Sequence, residues 1–222
     1  MTTVRDGGFK IQIKSPSTMK YIFSSVLLFL SLGLSAQTNS ELSQFIDSLK
    51  QEDQKYRNEA TRLRNENPSD TLAVRQAYAN MRKVDGLVQQ EVKKIYAQYG
   101  YPGIDLVGKV SSHNFWLMVQ HCDTDPEFQK TVLASMKIEV DKENASGRDY
   151  AYLIDRVKVN TQEKQIYGTQ MILNADSTSF MPQPLIDPEQ VNERRASVGL
   201  GKIEDYIETM NTRYFGVLKG KD

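Results

Sequence analysis

Three stretches of this sequence carry residues whose types and spacing could do chemistry. The first is His121-Cys122-Asp123-Thr124-Asp125. An imidazole close to a carboxylate is what a general base oriented by an acid requires. His121 and Asp123 are therefore the candidate catalytic residues, and a hydrolase is the reaction class that suits them. Each also has a structural reading. Asp125, followed by Pro126 and Glu127, has the pattern of an N-cap, a first-position proline and a first-turn acid. His121 stands where a helix should end, so it can cap the last carbonyls, and Asp123 can shape the turn.

The second stretch places Tyr152, Arg156 and Asn160 at i, i+4 and i+8, one side of a helix. Arg156 could grip a carboxylate or phosphate with both arms of its fork, or stabilise negative charge developing in a hydrolase. The third is Gln165-Ile166-Tyr167-Gly168-Thr169-Gln170. Read as an extended strand, it puts amide, phenol and hydroxyl groups along one edge, while Gly168 permits close approach of a backbone or ligand. Arg156, Asn160, Tyr167, Thr169 and Gln170 are the candidate ligand-binding residues. The competing reading is an internal polar network, because buried polar groups mostly find their partners within the protein. Arg194-Arg195 reads as a solvated face or a salt bridge to Glu189 or Glu193, and Cys122 as a small apolar filler.

Several chemistries are not expected. His113 and His121 are the only histidines, and eight residues of helix separate them by about 12 Å, against ligand distances of about 2 Å at zinc. No metal site follows. No glycine-rich phosphate loop, nucleophile elbow, paired-cysteine site or dinucleotide fingerprint occurs, so no cofactor is expected. The chain has 28 basic and 28 acidic residues, without a basic stripe to suggest nucleic acid. One cysteine permits no intrachain disulfide.

The elements that must position these residues are mainly helical. Leu42, Phe45, Ile46 and Leu49, then Met81, Val84, Val88, Val92, Ile95 and Tyr99, recur at helical spacing on either side of Asn65–Pro68. This predicts an αα-hairpin over 37–99, its second helix capped by Ser69 or Asp70. A Gly/Pro loop over 100–108 leads to a compact helical domain, 100–215, followed by a short tail, 216–222. Ser111 or Ser112 can cap a helix running through His113–His121. Asp125-Pro126-Glu127 and Asp187-Pro188-Glu189 should open two more, Ser146 and Asp149 another, and Gly199 should end one. A small inserted β-hairpin is expected near 165–181. The fold class is thus mainly α: a helical hairpin, then a compact helical domain with a small β-hairpin.

Ahead of these elements, Ile22–Leu34 is an uncharged apolar run preceded by Lys20 and followed by Ser35-Ala36. That is the pattern of a secretory signal, shorter than the roughly 20 apolar residues a membrane span needs. Residues 19–36 are expected to be a signal peptide cut after Ala36, and residues 1–18 to lie upstream of the true start at Met19. Removing them makes the chain mildly acidic, since Arg5, Lys10, Lys14 and Lys20 go with only Asp6. Gln37 stands where a lipoprotein would need cysteine. The expected address is periplasmic or extracellular, without a lipid anchor and with no membrane association after cleavage.

Four blocks in order carry a resemblance: GYPGIDLVG, FWLMVQHCDTDPEFQ, AYLIDRVKVNTQEKQIYGTQ and PLIDPEQVNERRASVGLGKIEDYI. They resemble successive blocks of an uncharacterised bacterial family known only as a domain of unknown function, over about Gly100 to Met210. The hairpin before them looks like a variable extension. The resemblance implies no reaction, ligand or cofactor. Its characteristic polar positions fall on His121, Asp123, Asp125, Glu127 and Gln129, on Asp155, Arg156, Asn160, Tyr167, Gly168, Thr169 and Gln170, and on Asp187, Arg194 and Arg195. Family members often have alanine at Cys122, which argues against thiol chemistry there. The leading expectation is a binding module for an unknown polar ligand or protein partner, around His121, Arg156, Tyr167 and Gln170. A hydrolase using His121 is the alternative, and a structural protein acting through its helical hairpin is another.

Overall fold

Helix α1 (Ser40–Glu66) begins where Asn39 turns its side-chain oxygen onto the Leu42 amide at 3.0 Å, satisfying one of the donors a helix start leaves open. Helix α2 (Thr71–Tyr99) begins the same way, Asp70 accepting from Ala73 at 3.0 Å. The protein is seen in a computed structural model that describes residues 2–6, 9–13 and 38–219. The expected signal peptide, 19–36, lies outside these residues. Among them the fold is mainly α, with seven α-helices and two small antiparallel hairpins. One hairpin joins β1 (Thr2–Asp6) to β2 (Phe9–Ile13), Thr2 opposite Ile13. The chain divides into two compact units, Met1–Met118 and Val119–Asp222.

In the first unit α1 and α2 form the antiparallel hairpin that the periodicity predicts. Leu42, Phe45, Ile46 and Leu49 bury one face of α1, and Val84, Val88, Val92 and Ile95 one face of α2. Toward the connecting turn only Ala60 and Ala77 are buried among apolar residues. A buried large apolar side chain contributes about 1.5–3 kcal/mol and an alanine far less. The hairpin is therefore held at its open end. Between these zones lies a polar layer: Arg57 donates Nε to the buried Asp53 at 3.2 Å and Nη2 to Asp85 at 2.6 Å.

Helix α3 (Ile104–Gln120) corrects two expectations. It begins four residues before the end of the expected loop, and its turn is broken only at Gly108, whose φ of 79° and ψ of 161° are non-helical. Ser111 and Ser112 are thus inside the helix. Ser111 Oγ donates to Asp47 Oδ1 at 2.8 Å, as does Asn114 Nδ2 at the same distance. A carboxylate on α1 thereby ties down the middle of α3, just past the Gly108 break.

The second unit carries α4 (Pro126–Asp141), α5 (Gly147–Asn160), β3 (Met171–Leu173), β4 (Phe180–Pro182), α6 (Val191–Ser197) and α7 (Ile203–Lys219). Asp125 caps α4 through the Phe128 amide at 3.1 Å, with Pro126 in its first turn. Ser146 caps α5 through Asp149 at 3.2 Å. Gly199, at φ +74°, ends α6 in a Schellman motif: its N–H reaches Ala196 O, and the Leu200 N–H reaches Arg195 O. The second Asp-Pro-Glu behaves differently. Asp187 sits at φ 38° without a side-chain cap, and Pro188–Gln190 is a 3-10 turn ahead of α6. The β-hairpin starts only at Met171, so Gln165–Gln170 is a loop rather than a strand.

Candidate functional site

Helix α5 presents two neighbouring polar residues to two different partners. Asp155 is fully buried within a stripe of Ala151, Leu153 and Val157. Its Oδ1 accepts from the amides of Ile166 at 2.7 Å and Tyr167 at 3.0 Å, and its Oδ2 from the Thr169 amide at 2.9 Å and the Thr169 hydroxyl at 3.0 Å. One carboxylate thus satisfies three main-chain donors of a loop that pairs with the 183–186 segment only at its two ends, Gln165 and Gln170.

The carbonyls of the same loop are held by guanidinium groups. Arg194 Nε donates to Ile166 O at 2.9 Å and its Nη2 to Ile186 O and Asp187 O. Arg195, only 2% exposed, donates Nη1 to Tyr167 O at 2.8 Å and Nε to Gly201 O at 2.6 Å, under the Tyr206 ring. Burial lowers the Arg195 pKa. The Tyr206 hydroxyl donates to Thr169 O at 3.2 Å, and burial pushes its pKa up. Gln165 closes the loop, donating to Gln170 O and Gln183 O and accepting from the Gln170 amide at 2.9 Å. At the apex Gly168 has φ +67°, and a Cβ there would lie 2.5 Å from Ile203 Cδ1.

Arg156, the next residue of α5, faces the turn between α3 and α4. Its Nε donates to Asp123 Oδ1 at 2.8 Å and its Nη2 to Asp123 Oδ2 at 2.5 Å, a two-armed pairing. Asn160 Nδ2 adds a bond to Oδ1 at 3.0 Å. Behind them the buried Gln129 donates its amide to Val119 O at 3.0 Å, covering an end carbonyl of α3, and reaches Asp123 at 3.5 Å. Its Oε1 is buried without a hydrogen-bond partner. Side-chain exposure is 33% for Arg156 and 40% for Asp123, so this cluster meets solvent. Burial raises the Asp123 pKa, but the hydrogen bond and charge of Arg156, with Gln129 and Asn160, outweigh it and leave the carboxyl below its ordinary value.

The structure therefore divides the predicted site residues. Asp123, Arg156 and Asn160 meet at the α3–α4 turn. Thr169 and the main chain of Tyr167 belong to the Asp155 cradle, and Gln170 donates its amide to Thr169 Oγ1 at 3.0 Å. His121 lies half-buried at the end of α3 and is not among the hydrogen-bond partners of Asp123. Gln129 and Asp155 are the residues whose roles the sequence reading did not assign. For Asp155 a signal existed: an acid flanked by the apolar Leu153 and Val157 at two-residue spacing. Arg194 and Arg195 hold loop carbonyls and not the acids beside them. Among the described residues no group of three or more His, Cys, Asp or Glu side chains is placed to hold a metal ion. None of the described helices is long and apolar enough to cross a membrane.

The model of a family of unknown function, DUF6624, matches residues 40–219. The chain belongs to this family. The match takes in both helices of the α1–α2 hairpin, which is therefore part of the DUF6624 extent and not an addition to it. It also encloses the Asp155 cradle and the Asp123–Arg156 cluster. No curated protein and no solved structure matches the chain.

Proposed function

We propose that this DUF6624 protein is an exported, non-catalytic binding module whose ligand site is the Asp123–Arg156–Asn160 cluster, with His121 at its margin. The observation that carries this reading is the side-on pairing of Arg156. With Nε and Nη2 facing Asp123, Nη1 lies on the other side of the guanidinium, on a side chain that is one-third exposed. Such a fork is pre-oriented for an acidic group, and Asn160 beside it adds a polar edge. The ligand class is a small molecule or chain end bearing a carboxylate or phosphate. Asp123 is held by Arg156 and Asn160, which favours binding over a His121-based reaction.

Export rests on the apolar run Ile22–Leu34 and the small residues that follow it. The address proposed is periplasmic or extracellular, without a lipid anchor. N-terminal sequencing of the protein recovered outside the cytoplasm should begin at Gln37, and an uncut chain retained in the cell would refute export. For the ligand site, citrate and inorganic phosphate are the probes, followed through backbone amide shifts. Shifts confined to 121–129 and 156–160, and lost in Arg156→Gln, are expected. Absence of shifts with both probes, or shifts unchanged in Arg156→Gln, refutes the site.

A further inference from the structure

The β3–β4 hairpin has one closed edge and one open edge. Met171, Ile172 and Leu173 lie opposite Pro182, Met181 and Phe180. Flanking bonds run from Asn174 N to Ser179 O at 2.9 Å and from Gln183 N to Gln170 O at 3.0 Å. Antiparallel pairing alternates, so between these bonds Ile172 and Met181 form the exchanging pair, and the N–H and C=O groups of Met171 and Leu173 turn away from β4. On the far side of β4, Phe180 N donates to Asn211 Oδ1 at 2.7 Å, Pro182 has no N–H, and α7 packs along the strand. Among the described residues the outward main-chain groups of Met171 and Leu173 have no such cover.

The side chains reinforce this asymmetry. Ile172 and Met181 point to the same face of the hairpin and are 51% and 48% exposed. Neither strand carries a charge, whereas proteins commonly protect an open edge with lysine, proline or a bulge. Here β4 has the proline and β3 has nothing equivalent.

We propose that β3 is a self-association edge, which pairs antiparallel with β3 of a second copy of this chain. The geometry is self-complementary. With the two-fold axis between Ile172 and Ile172 of the partner subunit, each Met171 faces Leu173 of the partner subunit, and both pairs can exchange main-chain bonds. A four-stranded sheet results, with a continuous apolar row of Met181 and Ile172 from each copy on one face. The hairpin tips, which carry Asp176, fall at opposite ends and do not repel. An unrelated extended peptide would have to supply its own apolar match to Ile172 and Met181. A second copy supplies both the register and the match.

The test follows the full chain by sedimentation across a concentration series, with amide hydrogen exchange on the same samples. A dimer is expected, in which exchange at Met171 and Leu173 slows as concentration rises while Asn174 is protected throughout. Ile172→Lys, at an exposed position that leaves the hairpin intact, should weaken dimerisation about tenfold or more. Ile172→Cys in a Cys122→Ser background should cross-link on oxidation, because residues facing each other across a non-hydrogen-bonded position are close enough for a disulfide. A chain that remains monomeric at every concentration overturns the proposal. So does a dimer that neither responds to Ile172→Lys nor cross-links through position 172. Protection of Met171 and Leu173 only on adding a foreign peptide would assign the edge to a different occupant and overturn it equally.

Discussion

Two carboxylates in the second unit are both managed by α5, and they are used in opposite ways. Asp155, on the helix itself, is sealed from solvent and gathers the amides of the 165–170 loop. Asp123, on the α3–α4 turn, is reached by the neighbouring Arg156 and stays 40% exposed. A charge-assisted bond whose removal strands several buried donors is costly to lose, whereas an ion pair in partial contact with water is nearly replaceable by water. The comparison teaches that α5 has a structural face and an available face one residue apart. Only the second is suited to a ligand.

The sharpest way to break this contrast is to remove each acid in turn. Asp155→Ala should destabilise the protein by about 4 kcal/mol or more, because three loop amides and a hydroxyl lose their acceptor at once. Urea denaturation would measure it. Asp123→Ala should cost no more than about 1 kcal/mol. Equal losses would erase the distinction. Gly168→Ala comes next, at about 2 kcal/mol, from its positive φ and the contact with Ile203. Adding Ile203→Ala should not restore it fully, since the backbone strain remains.

The smallest effect expected is on pH dependence. The folded-state pKa of Asp123 is depressed, chiefly by Arg156 against the opposing effect of burial. The resulting stability is therefore present above the unfolded-state pKa of about 3.9 and is lost as pH falls below it through the folded value. Acid titrations of wild type and Asp123→Asn should differ above about pH 4 and converge below it. Divergence that persists into stronger acid would mean that the pairing is not electrostatic in origin.

How much of this was legible follows from the range of the interactions involved. The caps at Asp70, Asp125 and Ser146 were readable because each bond spans three residues, and the Gly199 stop because its bonds also lie within one turn. The two Asp-Pro-Glu tripeptides mark the limit. At Asp125 the local rule holds. At Asp187 the guanidinium of Arg194 takes the Ile186 and Asp187 carbonyls, and the chain turns through φ 38° in place of capping a helix. Identical local sequence met a different tertiary partner.

The candidate site was legible in its parts and not in its grouping. Asp123, Arg156 and Asn160 were singled out by type, but so were Tyr167, Thr169 and Gln170, and nothing in a linear spacing separates the two sets. What separates them is which face of α5 each approaches, 33 residues away in sequence for the Arg156–Asp123 bond and 11 to 14 for the Asp155 bonds.

Helical class, the αα-hairpin and the starts of α2, α4 and α5 were settled by the sequence itself, since periodicity and capping act through neighbours within a turn. The polarity of the second unit was decided only by tertiary structure. Whether a carboxylate becomes a buried brace or a half-exposed pair depends on how much low-dielectric surroundings and how many donors the fold brings to it. No residue carries that information alone.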